Sequence, residues 1–378
     1  MELGTSTKNL AGSDGKGRIE WIDALRGFTM ILVVFGHIEL IGFDMPKSTV
    51  NNIIYSFHVP LFFFLSGFLA FKANRKWDWG AYKNLILKKI KQIFIPTIIL
   101  GLLFSITVFS HRYGEETLDS IMMFFSDPSK LGYWFTVTLF FVFFIYYSVS
   151  LMLAKCKEST RHIVFAVMAI GMFLLSLLGS SFYYDNTVAS CLSLYHVLLY
   201  FQFFVFGTIF ACYQDKLFRL IENQYVIGVV ILLFVGLFVS NCLLGESSLS
   251  TTVYGKVGSK AIAEVLRYLG IVSMLAIFKH YRGALSSNKK VGRGLQYVGK
   301  LTLDIYLLHY FFLPNLPTLG EFFMGVENTA LELVVSGALA MLVVLLCWIV
   351  SKVIRTSPFL AQYLLGESNK KKKMNQNN

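Results

Sequence analysis

The apolar residues of this chain fall into long blocks separated by short polar segments. Ten blocks stand out, at about 21–43, 53–71, 92–110, 131–153, 162–181, 192–213, 225–244, 259–278, 301–317 and 330–351. Each is roughly 17 to 25 residues long, the length a helix rising about 1.5 Å per residue needs to cross a hydrocarbon core of about 30 Å. The pattern predicts an all-α polytopic membrane protein with about ten transmembrane helices. A polar tail over 1–20 precedes a membrane domain over 21–353, and a basic tail over 354–378 follows it. The first seventeen residues lack the continuous apolar core of a signal peptide, so the first helix is expected to remain as a permanent span.

The first block, WIDALRGFTMILVVFGHIELIGF from Trp21 to Phe43, carries Asp23, Arg26 and His37. Eleven positions separate Arg26 from His37, about 1100° of helical rotation, which ends roughly 20° past three full turns. Both side chains therefore leave the same face of the helix, about 16 Å apart along its axis, and Asp23 shares that face. A charge at the centre of a bilayer costs at least about 2.5 kcal/mol, so such a stripe is expected to face protein or a wet cavity. Gly27 and Gly36 beside it allow another backbone or a ligand to come close. The same stripe could also be an internal polar network that only fixes helix packing.

Composition agrees with a membrane protein and adds a direction. Mean hydropathy is +0.61, and 55% of residues are hydrophobic against 15% charged, which excludes a soluble domain. The net charge of +12 would suggest nucleic acid in a soluble protein; here it is a topology signal. With ten spans, 27 Lys and Arg fall in the segments on the side of both termini and five in the opposite loops, so both termini are expected in the cytoplasm. The run Lys370 to Lys373 is then a solvated tail that could touch anionic headgroups.

This orientation gives the other polar residues a depth. His58 lies about five residues into the second span from outside, near the depth of His37, so the two imidazoles can meet on neighbouring helices. Pro60 loosens the backbone just after it, and Ser66 and Gly67 favour close packing below. The cytoplasmic segment 72–91 holds Arg75, Trp77 and Trp79, and its Lys83, Lys88, Lys89 and Lys91 are spaced like the wet face of an interfacial helix. That face suits either lipid headgroups or a cytosolic polyanion.

Further along, Trp134 opens the fourth span at the outer interface, where an aromatic belt is expected in any case. His196 in the sixth span reads as an interfacial or internally bonded ring. Glu264 and Arg267, three residues apart in the eighth span, either neutralise each other or face a cavity. The ninth span carries Asp304, Tyr306 and His309, the last two one turn apart. Five cysteines have no metal-type spacing, and a disulfide between Cys191 and Cys242 is not expected. No phosphate loop or nucleophile elbow is present, and no internal repeat of the kind found in many transporters is visible.

Three stretches together resemble the integral-membrane acyltransferases called acyltransferase family 3, and within it the sugar O-acetyltransferases related to fucose 4-O-acetylase. They are WIDALRGFTMILVVFGH, with the family's Arg, ten residues, His spacing on Arg26 and His37; YSFHVPLFFFLSGFL, with Val59 where that branch has Met; and the basic KKIKQIFIP ending at Pro96. YWF at 133–135 and LDIYLLHYF at 303–311 are weaker echoes.

The resemblance implies transfer of an acyl group, usually acetyl from acetyl-CoA, to a hydroxyl of a cell-surface glycan or its lipid-linked precursor, in the inner (plasma) membrane of a bacterial cell envelope. No metal is expected. In that reading Arg26, Arg75, Lys88 and Lys89 hold the donor, and Trp134, Glu264, Arg267, Tyr306 and His309 line the acceptor. His37 takes the hydroxyl proton or carries the acyl group transiently, and His58 helps to hold the oxyanion. The competing class is a transporter or flippase for a glycan, whose pathway the same charges would line and which needs no acyl donor. The acyl group, the acceptor hydroxyl and the oligomeric state are open at this point.

Overall fold

A computed structural model describes residues 19–45, 48–72, 75–177, 179–246, 253–326 and 328–367. Among them the chain is helical between turns and contains no strand. Nine helical runs in the described residues are long and apolar enough to cross a membrane: Glu20–Gly42, Thr49–Ala70, Trp79–Tyr113, Trp134–Met152, Glu158–Ser176, Leu194–Cys212, Gln224–Leu243, Gly258–His280 and Thr329–Ile354. The protein is thus an all-α, multi-pass membrane protein.

The tenth expected span differs. Residues 301–317 form the helix Thr302–Leu308, one 3-10 turn over His309–Phe311, and irregular chain up to the next helix at Pro317. Pro314, three residues beyond the turn, has no N–H to continue a helix, and the ten helical residues before it rise only about 16 Å. The end of the stretch is tied back to the first span, where the Leu316 N–H donates to the Gly42 carbonyl at 2.7 Å.

The basic segment is not a separate interfacial helix: Trp79–Lys89 runs through a π turn over Ile90–Phe94 directly into Ile95–Phe104, and the run continues to Tyr113. The start of the 354–378 tail is also ordered, because Pro358–Leu364 is a helix packed on Ile95–Phe104, and Gly366 turns with a positive φ of 65° against the backbone of Gln92. Lys370 to Lys373 lie outside the described residues. Pro60 acts as expected: the second span is broken by a turn at Ser56–Phe57 before helix His58–Ala70, since Pro60 cannot donate to the Ser56 carbonyl.

The chain packs as two units. Among the described residues, the first comprises those within 19–36, 48–62 and 213–302. In it Gln224–Glu246 pairs with Val253–His280, and Lys290–Lys300 lies against the start of the first span. A side chain at Gly27 would run into the Leu295 carbonyl, and one at Gly299 into the Asp23 carbonyl, so two glycines set this close approach. Trp21 meets Phe218 edge-on at 5.3 Å, and Phe28 meets Phe278 at 5.3 Å. None of the apolar window of Gln224–Leu243 is buried within the protein, as suits a helix facing lipid.

The second unit comprises the described residues within 37–45, 63–212 and 303–367. Its centre is helix Leu194–Cys212, which packs on Glu158–Ser176 and Trp134–Met152. Gly67 lies on the Phe204 carbonyl and Gly207 on the Phe64 carbonyl, a reciprocal contact of small residues that brings the second span against this helix. Phe64, Phe68, Phe206 and Phe210 fill the space beside it. Each of the five cysteines is free.

Candidate active site

The first span begins with Asp23 and Arg26 in the first unit. Asp23 is buried, and its carboxylate lies 3.6 Å from the Arg26 guanidinium, while Arg26 Nη2 donates to Thr302 Oγ1 at 2.9 Å. The turn beginning helix Thr302–Leu308 therefore holds the arginine that the sequence singled out. Gly36 sits against the ring of Tyr55, and Tyr55 lies edge-on to His58, 4.7 Å between ring centres.

His58 is 1% exposed, and its Nδ1 is 2.8 Å from the Ile54 carbonyl. A carbonyl only accepts, so Nδ1 carries the proton, and the neutral ring presents Nε2 as an acceptor. The expected donor to an oxyanion is available from this ring only in its doubly protonated form. Glu264 and Arg267 form the direct ion pair that was one of their two readings, with side chains 16% and 24% exposed.

His37 ends the helical part of the first span, at the junction with a π turn over Ile38–Gly42. In the second unit its Nδ1 lies 2.7 Å from Nε2 of His309. The imidazole that meets His37 thus comes from the broken segment. The two ring planes lie within 12° of each other with centres 5.0 Å apart. His309 is fully buried, and its other nitrogen, Nδ1, lies 2.7 Å from the Tyr306 carbonyl and 3.1 Å from that of Ile305. His309 stands where the α-helix gives way to a 3-10 turn, and its side chain reaches back to carbonyls of the turn before it.

One loop residue organises the surroundings. Gly132 has a φ of 85°, and its carbonyl accepts from the hydroxyls of both Tyr306, at 2.6 Å, and Tyr310, at 2.9 Å. A side chain at Gly132 would collide with the Tyr310 ring. Tyr133, fully buried, donates to the Leu307 carbonyl at 3.0 Å. These three hydroxyl bonds fasten the broken segment to the loop before helix Trp134–Met152, and the Tyr310 ring lies 4.0 Å from His309 and 5.3 Å from His37.

The Tyr306 hydroxyl is thus engaged by protein. Trp134, next in sequence, stacks on His196 at 4.0 Å and 24° and lies beside Tyr200, itself parallel to Phe63.

Of the basic residues expected to hold a donor, the fold brings two together. The Arg75 guanidinium lies 5.4 Å from the Trp77 ring centre, and Trp77 packs on Tyr147 at 5.9 Å. The Lys89 ammonium lies 3.5 Å from the centre of Phe143, whose ring packs on the same Tyr147 at 5.6 Å. Lys89 therefore turns inward, away from the wet face expected for it, whereas Lys88 is exposed. The result is a pair of cations set against one cluster of aromatic rings.

Sequence reasoning missed several groups. Glu39, two residues after His37 in the same apolar block, is fully buried, and as a carboxylate in a span it carried the same signal as Asp23. Gly132, Tyr133 and Tyr310 flank residues that were singled out, but nothing in their spacing gives their bonds. Asp304, already singled out in the ninth span, is bound by Arg355 and Ser351, each at 2.6 Å, partners that spacing could not indicate. Glu158 and His162, one turn apart, bring ligand atoms within 4.8 Å of Cys212 and of each other; the four-residue spacing was visible, the cysteine across the helix pair was not.

The comparisons with known proteins bear on what this arrangement does. No curated protein and no solved structure matches the chain. A family profile described as an acyltransferase domain matches residues 19–352, from before the first span to the end of the last, and so includes His37, His58, His309 and the basic segment. The chain belongs to this family of acyltransferases, and the protein is a membrane-embedded acyltransferase.

Proposed function

We propose that the protein transfers acetyl from cytosolic acetyl-CoA to a hydroxyl of a cell-surface glycan or lipid-linked sugar, in the inner (plasma) membrane. The observation that carries this reading is the imidazole pair: half-buried His37, on a membrane span, is hydrogen-bonded to the fully buried His309 and walled by Tyr310. An imidazole with an ordinary pKa near 6.5 is the natural base for a sugar hydroxyl. In the reaction the hydroxyl oxygen attacks the thioester carbonyl carbon as His37 takes its proton. The carbon–sulfur bond then breaks, and the proton passes to the departing thiolate, so that the products are the ester and free CoA.

Arg75 and Lys89 would hold the donor's phosphates and Trp77 its adenine. The sugar acceptor rests on the resemblance of the Tyr55 to Leu69 stretch to sugar O-acetyltransferases. It is supported by the Trp134, His196 and Tyr200 rings, whose nearly parallel faces suit the apolar face of a sugar ring. His58 takes part as an oxyanion donor only when protonated. Glu264 and Arg267 can contact the acceptor only where their mutual pair leaves atoms available.

The test is binding of acetyl-CoA to purified protein in nanodiscs, by calorimetry. Saturable binding, weakened about tenfold in Arg75→Ala and in Lys89→Ala, is expected. Absence of binding by any acyl-CoA, with transport of a lipid-linked glycan in proteoliposomes, would replace this reading by a transporter.

A further inference from the structure

We propose that His309 is a positioning residue that fixes the tautomer of His37, so that Nε2 of His37 is the atom that takes the proton. The proposal rests on the reading of His37 as the base, and it follows from which atoms can donate. His309 Nδ1 faces two backbone carbonyls, of Tyr306 at 2.7 Å and Ile305 at 3.1 Å, and carbonyls can only accept. Nδ1 must therefore carry the proton of a neutral His309. Its Nε2 is left with a lone pair, and that lone pair meets His37 Nδ1 at 2.7 Å. His37 must bring the proton to this bond, which places its own lone pair on Nε2.

The geometry is that of a hydrogen bond rather than of face-to-face packing. Ring nitrogens donate and accept within the ring plane, and the two planes differ by only 12° with centres 5.0 Å apart. The opposite tautomer of His37 would set two lone pairs against each other at 2.7 Å, one of them on the fully buried His309, with no proton between them. The orientation of His309 is itself fixed by the helix-to-3-10 transition below it and by the Tyr310 ring beside it, anchored through its hydroxyl to Gly132.

This arrangement favours the transition state over the ground state. When the substrate hydroxyl gives its proton to His37 Nε2, His37 becomes an imidazolium and its Nδ1–H bond to His309 becomes charge-assisted, hence stronger. The bond thus strengthens as the charge develops, which is how a protein contact accelerates a step. When the proton leaves for the thiolate sulfur, both rings return to their neutral forms, and no proton is gained or lost over the cycle.

The test joins a spectroscopic and a kinetic readout. In full-length protein labelled with ¹⁵N-histidine in lipid, His37 is assigned by the signals missing from His37→Ala. The expected wild-type spectrum has a protonated Nδ1 and a bare Nε2 on His37; a proton on Nε2 instead would overturn the proposal without any variant of His309. His309→Phe is expected to lower kcat about 10²- to 10³-fold with the KM for acyl-CoA unchanged. His309→Gln, whose amide oxygen can accept from His37 Nδ1, is expected to recover most of that loss. Equal loss in both variants, or an unchanged His37 spectrum in His309→Phe, would make His309 merely structural. An enzyme that shows this tautomer but turns over no acyl-CoA would refute the proposed function and leave the tautomer assignment standing.

Discussion

Gly132 shows how much a single residue decides around His309. Its backbone stands in the left-handed region at φ 85°, its carbonyl receives two tyrosine hydroxyls, and the space where a side chain would be is filled by Tyr310. Gly132→Ala is expected to lose about 2 kcal/mol of stability from backbone strain and crowding, seen as a lower unfolding midpoint in detergent. Its kcat should fall with it, because Tyr310 is the wall of the imidazole pair. An unchanged midpoint would mean that the loop relaxes freely.

At this scale the sequence was informative where a group is costly. Asp23, Arg26 and His37 announced themselves because charged or ionisable groups in a span need protein around them. Their partners were not readable: depth along a helix follows from counting residues, but direction around the bundle does not. Depth suggested His58 as the companion of His37, and the structure supplies His309.

Among elements, the segment that departs from a simple span is the one that carries the second imidazole. A pattern of apolar residues over 301–317 cannot distinguish a continuous helix from a short helix, a 3-10 turn and a loop, since all bury the same side chains. Pro314 and Pro317 were the available signs. The lower end of this segment is held by Asp304, which accepts from Ser351 and pairs with Arg355, itself tied to Glu367 at 2.8 Å.

Arg355→Ala leaves a buried carboxylate with only a hydroxyl and is expected to cost about 3 kcal/mol. Glu367→Ala removes a half-exposed partner and is expected to cost less than about 1 kcal/mol. Unfolding midpoints of the two variants in the same detergent check the ranking, and similar losses would contradict it. The tail that composition marked only as basic supplies this clamp through Arg355 and Glu367, because the few contacts that order it are invisible in a charge count.

For the whole molecule, the apolar blocks gave the class and nine of the runs, and the Lys and Arg distribution gave an orientation that depends on the parity of the crossings. Nine long helices alone would put the termini on opposite sides; with the broken segment as a tenth crossing they share one. Reporter fusions at the two ends are expected to find both in the cytoplasm, and a C-terminal reporter active outside would remove the tenth crossing. The central claim, that an imidazole inside the membrane domain drives acyl transfer, is tested most directly by release of free CoA from acetyl-CoA by purified protein, comparing wild type with His37→Ala. Release by wild type, on its own or with a glycan extract as acceptor, that falls to background in His37→Ala is the predicted result; equal release by both proteins would contradict it.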